Sequence, residues 1–212
     1  MKYYGQFNPN VDKVLHERYF PNKFNGTSIE CGAFDGITEN CTKFFEENYN
    51  WTTINIEPLP HIFNLLKQNR PLSTNLEVAL SNSDIDKTIT VYDIKTYGIY
   101  NTNASLNHLP NHKKLLENMS NNNYITYNVK CNTYIQIVQQ LNITHLDLFV
   151  LDVEGHEFEV IDGMIGCDIL PDIFVIEHGH RNTDIFIEKL KCLNKSYKLD
   201  HISFVNSFFI KI

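Results

Sequence analysis

Short apolar runs alternate with amphipathic stretches along most of the chain, and the two periods separate strands from helices. TSIEC (27–31), TTINIE (52–57) and NLEVAL (75–80) read as three strands. HLDLFVLDV (145–153) is the most apolar run, as a central parallel strand covered on both faces requires. PDIFVIEH (171–178) reads as another buried strand. The spacing predicts helices from about Thr38 to Asn48 and from Leu59 to Asn69, the latter with Ile62, Phe63 and Leu66 on one face. Two more are predicted over Glu157–Gly163 and Thr183–Cys192. SYKLDHIS (196–203) and NSFFIKI (206–212) suit a closing antiparallel pair. Strand–helix repeats of this kind predict a doubly wound α/β sheet with right-handed crossovers.

Residues 81–132 interrupt the repeat. TITVYD (88–93) and ITYNVKC (125–131) suit an extra strand pair there, while 94–125 is polar, dotted with aromatics and poor in pattern. A long excursion inside a compact domain is usually functional or disordered; 94–125 is expected to cover a substrate, with a mobile surface loop as the alternative. At 212 residues the chain is expected to form a single domain, 1–212, with a full core.

Composition narrows the picture without choosing a chemistry. Apolar residues make up 42% and charged residues 20%, as in a globular protein, and no run of eighteen apolar residues suggests a membrane span. The opening MKYYGQFNPN shows no apolar core of a secretory signal. Cysteines 31, 41, 131, 167 and 192 are odd in number, scattered and without CxxC spacing. They are expected to be free thiols in a reducing, cytoplasmic setting. A net charge of −7 argues against a general nucleic-acid binder, which needs a basic face to displace counterions.

The stretch SIECGAFDGITEN (28–40) leaves the first strand and breaks at Gly32 and Gly36, with Glu30 and Asp35 beside the break. In open α/β sheets this is where ligands bind. A dinucleotide turn needs a middle glycine so that the backbone can approach a pyrophosphate. Here Phe34 takes that place, and Asp35 adds negative charge; both disfavour a nicotinamide cofactor. S-adenosylmethionine has no phosphate but carries a sulfonium and an ammonium, which acids attract. Glu30 is expected to face the ammonium, and the turn Gly32, Ala33, Phe34, Asp35 and Gly36 to meet the amino-acid end. Glu57, followed by Pro58, ends the second strand, where an acid accepts hydrogen bonds from ribose hydroxyls. Ala79, Leu80 and Ser81 end the third, where an adenine would lie.

With these residues in place, the sequence resembles the FkbM family of class I S-adenosylmethionine-dependent methyltransferases. The resemblance rests on ECGAFDG (30–36), FFEENYNWTTINIEPLPHIFNLLKQNRP (44–71), VALS (78–81), LDLFVLDVEGHEFEVIDG (146–163) and the opening YGQFNPNVDKVLHERYF (4–20). It implies a Rossmann-like class I methyltransferase fold: a mostly parallel seven-stranded sheet with an antiparallel closing strand and helices on both faces. It also implies an opening helix preceded by a Gly-Gln pair, and O-methylation of a sugar or sugar-bearing metabolite. Asn40-Cys41-Thr42 departs from the family's Ser-Asn-Thr, and 94–125 matches only around ASL (104–106).

Methyl transfer needs alignment and a place for a hydroxyl proton. LDVEGHE (151–157) offers Asp152, best placed to border the donor, followed by Glu154 and His156. IEHGH (176–180) ends the adjacent strand, so Glu177 and His178 are expected to face Asp152, with His178 or His156 as a general base. A divalent metal held by Asp152, Glu177 and His178 is the alternative route. An RNA 2′-O-methyltransferase would share fold and donor, but its characteristic second lysine has no counterpart at 177–180. A non-catalytic nucleoside-binding domain is the remaining rival.

Overall fold

A computed structural model describes residues 1–94, 103–179 and 181–212. Its main sheet has seven strands: β1 (Thr27–Cys31), β2 (Thr52–Ile56), β3 (Thr74–Leu76), β8 (Leu148–Leu151), β9 (Ile173–Glu177), β10 (Tyr197–Ser203) and β11 (Asn206–Lys211). They lie in the order β10-β11-β9-β8-β1-β2-β3, and β11 alone runs antiparallel to its neighbours β9 and β10. The expected mostly parallel sheet with an antiparallel closing strand is therefore present, with its order reversing between β1 and β8.

The central strands alternate faces as the pleat requires. Phe149 and Leu151 of β8, with Phe174 and Ile176 of β9, pack under α5 (Tyr134–Gln140), α6 (Glu157–Asp162) and α7 (Asp184–Leu190). Leu148, Val150, Ile173 and Val175 pack on the other face, against α1 (Val11–Val14), the π-helical turn that follows it (Leu15–Tyr19) and α2 (Lys43–Tyr49). Both faces of these strands are buried, which is why their sequence reads as one unbroken apolar run.

Four expectations change on folding. NLEVAL is not one strand: β3 ends at Leu76, and β4 (Ala79–Leu80) pairs instead with β7 (Cys131–Asn132). The first helix begins at Lys43 rather than Thr38, because side chains capture the backbone N–H groups before it. Asp35 accepts from the N–H of Ile37 and Thr38 at 2.9 and 2.7 Å, and Glu39 takes a left-handed φ of 55°. The segment 94–125 holds a helix, α4 (Pro110–Met119), as well as the start of β6 (Tyr124–Val129). Only Leu116 of α4 is buried, so its pattern was hidden by polarity; residues 95–102 fall outside the described residues. Helix α5 also escaped the periodicity, although a Thr133–Gln136 capping box marks its start. The extra pair did form, as antiparallel β5 (Lys87–Tyr92) with β6.

One buried charge ties the first half together. Arg70, at the end of α3 (Pro60–Asn69), is fully buried. Its guanidinium donates twice to Glu46 of α2, to Thr53 of β2 at 3.0 Å, to Asn40 at 2.8 Å and to the Gly36 carbonyl at 3.2 Å. Removing one partner of such a network strands the others. Arg70→Met should therefore cost about 3 kcal/mol, at the low end for a broken buried pair because Glu46 keeps some solvent contact. Chemical denaturation of the two proteins measures it.

Candidate active site

The carboxyl ends of β1, β2 and β8 open onto a cavity of about 340 Å³, within the usual range for small-molecule sites. Its floor is the turn after β1. The N–H groups of Gly32 and Ala33 both donate to the Ile56 carbonyl at 3.1 Å, drawing the turn over β2. Gly32 has φ +88°, and a Cβ there would sit 1.8 Å from the Asp152 carbonyl oxygen, so only glycine lets β1 close on the end of β8. Phe34 adopts φ +50°, a conformation costly for an aromatic residue. Glu57 holds it there by accepting the Phe34 N–H, and accepts the Leu59 N–H at 2.9 Å.

The predicted residues divide into those that line this cavity and those that build its walls. Gly32, Ala33, Phe34, Glu57, Pro58, Ala79, Leu80, Asp152, Glu154 and His156 line it. Asp35, Gly36 and Ser81 are not among its walls. Asp35 is turned onto Ile37 and Thr38, Gly36 packs against the Arg70 stem, and the Ser81 hydroxyl accepts from Lys87 Nζ at 2.6 Å. Glu30 borders the cavity, but its carboxylate points under α2. It accepts from the N–H of Cys41 at 2.7 Å, and from the N–H and hydroxyl of Thr42 at 3.1 and 2.6 Å. Strand alternation explains this: Glu30 pairs with Val150, whose side chain belongs to the α1–α2 face. Rather than facing an ammonium, Glu30 satisfies the start of α2. Asn40, in the departing Asn-Cys-Thr segment, lines the cavity and accepts the Lys43 N–H at 2.8 Å.

The catalytic candidates do not converge on one point. His156 lies on the Leu80 side, with Nε2 3.0 Å from the Ser81 hydroxyl and Nδ1 3.5 Å from Glu159. Burial lowers its pKa below the ordinary imidazole range. Glu154 sits at φ +55° with an oxygen 3.6 Å from Nδ1 of His112 in α4. His178 stands apart from the first cavity; its Nδ1 is 2.9 Å from the Ser207 hydroxyl, and burial lowers the ring's pKa. It lines a second cavity of about 260 Å³ with Asp152, Glu154, Glu157 and Glu177. The two cavities share Asp152, Glu154 and Glu177 as a common wall.

Sequence reading missed residues that the inserted segment brings in. Ala104, Ser105 and Leu106 line the first cavity, and the Ser105 hydroxyl donates to the Val153 carbonyl at 3.0 Å. The ASL match at 104–106 was their only signal. Gln6 of the Gly-Gln pair, not assigned to the site from the sequence, also lines it. Glu39 and His112 carried no sequence signal.

Burial and mutual repulsion set the electrostatics of this wall. The Asp152 carboxyl is pushed well above the carboxylate range by burial, then by Glu177 and Glu157. Glu154 rises to about 8 from burial and from the charges of Asp152, Glu157 and Glu39, and Glu57 rises to about 8 from burial. For the metal alternative, Asp152, Glu177 and His178 do not bring ligand atoms together. Among the described residues the group that does is His145, Asp147 and Asp172, at the opposite end of the sheet. There Lys23 pairs with Asp147 and Lys211 with Asp172.

A mostly parallel sheet of this order, with an acid-lined cavity at the carboxyl ends of β1, β2 and β8, is the arrangement of class I methyltransferases. The sequence matches the Methyltransferase FkbM domain over residues 30–207, and the chain belongs to that family, a family of S-adenosylmethionine-dependent methyltransferases. Membership implies S-adenosylmethionine as the cofactor. The crystal structure of the FkbM methyltransferase from Methylobacillus flagellatus KT superposes with a TM-score of 0.55 at 13% identity. The match covers 94% of this chain and 47% of that one, so this chain spans about half its length. A TehB-like SAM-dependent methyltransferase from Corynebacterium glutamicum ATCC 13032 Kitasato aligns at 9% identity and a TM-score of 0.47, covering 95% and 87%. No curated protein matches the sequence.

The raised carboxyls give stability a definite pH slope. Unfolded, Glu57 and Glu154 lose their protons near 4.5; folded, each keeps its proton up to about 8. The native state thus binds more protons between those values, and stability falls as pH rises through the window. The midpoint of thermal unfolding without ligand is expected to drop steadily from pH 5 to pH 8.

Proposed function

We propose that the protein is an O-methyltransferase that uses S-adenosylmethionine to modify a hydroxyl of a sugar or sugar-bearing metabolite. The observation that carries this reading is the common wall of Asp152, Glu154 and Glu177 between two cavities. One cavity suits the donor and the other suits an acceptor. The donor cavity fits on chemistry. Glu57 is available for ribose hydroxyls, Ala79 and Leu80 for an adenine, and the Gly32–Phe34 turn for the amino-acid end. Asn40 Nδ2 is buried there without a hydrogen-bond partner, a donor suited to a carboxylate.

When bound, S-adenosylmethionine supplies a methyl carbon already activated by its sulfonium. The protein's part is to orient the acceptor and take its proton. Asp152, Glu154 and His178 reach the second cavity, whose carboxyls accept hydrogen bonds as a polyhydroxylated acceptor requires. His156, held by Ser81, is better placed to support the base side of the donor cavity. Ser105 and the start of α4 sit over the β8–α6 turn, supporting the reading of 94–125 as a substrate-covering segment in a single domain. Support for a sugar acceptor comes from the family resemblance. Five free cysteines suit a reducing, cytoplasmic setting, and among the described residues no helix is long and apolar enough to cross a membrane.

Thermal shift tests the donor. S-adenosylmethionine or S-adenosylhomocysteine at about 100 times its dissociation constant should add about 2.7 kcal/mol; a shift with NAD alone would overturn the reading. Glu57→Ala should weaken binding of both ligands, measured by titration calorimetry. Asp152→Ala should abolish methyl transfer to any acceptor found by screening, and normal turnover in that variant would reject the site.

A further inference from the structure

Asp152 and Glu177 occupy a position that the reading above leaves without a role for the second residue. Strands β8 and β9 are parallel neighbours with Leu151 opposite Ile176. The next residues, Asp152 and Glu177, therefore stand side by side where the strands open into the common wall. Side by side, each carboxyl acts directly on the other, and two adjacent carboxyls that cannot both ionise favour holding one proton between them.

The groups around them push the same way. Glu39 from the loop before α2, and Glu154 and Glu157 from the β8–α6 turn, all raise the pair. Among the described residues the basic groups packed nearby sit against other partners. Arg181 Nη2 donates to the Gly155 carbonyl at 2.8 Å, and its Nη1, without a hydrogen bond, lies 3.9 Å from Glu157; His112 lies 3.6 Å from Glu154; His178, its pKa lowered by burial, bonds Ser207. A half-buried acid pair with acidic neighbours keeps a proton until a positive charge arrives.

We propose that the Asp152–Glu177 pair is a charge-responsive proton acceptor: it holds one shared proton while no cation is beside it, gives that proton up when a sulfonium enters the donor cavity, and is then the base for the acceptor's hydroxyl. In that step the hydroxyl O–H bond breaks, its electron pair stays on oxygen, and the proton forms an O–H bond on a carboxylate of the pair. The device is self-timed, because the pair regains its proton affinity as the positive charge beside it is lost. Glu177 thereby becomes a catalytic residue alongside Asp152. The inference rests on the donor reading above, yet it needs no acceptor to be tested.

Titration calorimetry in buffers of different ionisation enthalpy counts the protons released on binding. Near neutral pH, S-adenosylmethionine should release close to one proton more than S-adenosylhomocysteine, which has no sulfonium. Its affinity relative to S-adenosylhomocysteine should rise by up to about tenfold per pH unit through the pair's titration and level off above it. Glu177→Gln should erase the difference while S-adenosylhomocysteine still binds. If that variant does not fold, the wild-type pH series decides alone. Equal proton release by both ligands at every pH, or an unchanged difference in Glu177→Gln, overturns the inference and leaves the donor reading standing. Failure of both ligands to bind overturns the two together.

Discussion

Four neighbouring strands of one sheet each place an acidic residue at the border of the same cavity. In spatial order they are Glu57 after β2, Glu30 in β1, Asp152 after β8 and Glu177 at the end of β9. Buried charges are tolerated only when paired or hydrogen-bonded. Each of these acids meets that requirement differently, and the differences assign their roles. Glu30 is held by the start of α2; burial raises its pKa, and the hydrogen bonds from Cys41 and Thr42, with Arg70 nearby, oppose that rise only in part. Glu57 binds two backbone N–H groups, Phe34 and Leu59. Among the described residues, Asp152 and Glu177 are set against each other.

The consequence is a site short of positive charge. A cavity built around a phosphate would present N–H groups at a helix start, and here those groups are already taken: Asp35 and Glu30 accept them along residues 37–42. The chain has thus closed the anion site that a dinucleotide fold would leave open, and kept unneutralised carboxyls where a sulfonium can lie.

Much of the fold was legible because its signal is periodic. The buried runs at 145–153 and 171–178, the strand at 27–31 and the antiparallel ending all lie where the alternation put them. What escaped had local reasons. NLEVAL is uniformly apolar enough for one strand, but Leu76 pairs with Ile56 while Ala79 pairs with Cys131, over fifty residues away. Helix α4 buries one residue, so it carries no stripe to read. At the site, Gly32 and Glu57 were legible because a turn glycine and a strand-end acid have few other uses. Glu30 was read for the wrong face, since a strand's direction of view depends on which helices cover it.

The sequence by itself determined the sheet, its order of elements and the absence of a phosphate turn, because these depend on local period and on residues close together in the chain. Tertiary structure alone decided which acids face a ligand and which hold the backbone. It also brought Ser105 and His112 from the inserted segment to the site, and set Asp152 beside Glu177. Such pairings join residues 25 or more positions apart, and their protonation depends on burial and on neighbours that no local pattern encodes.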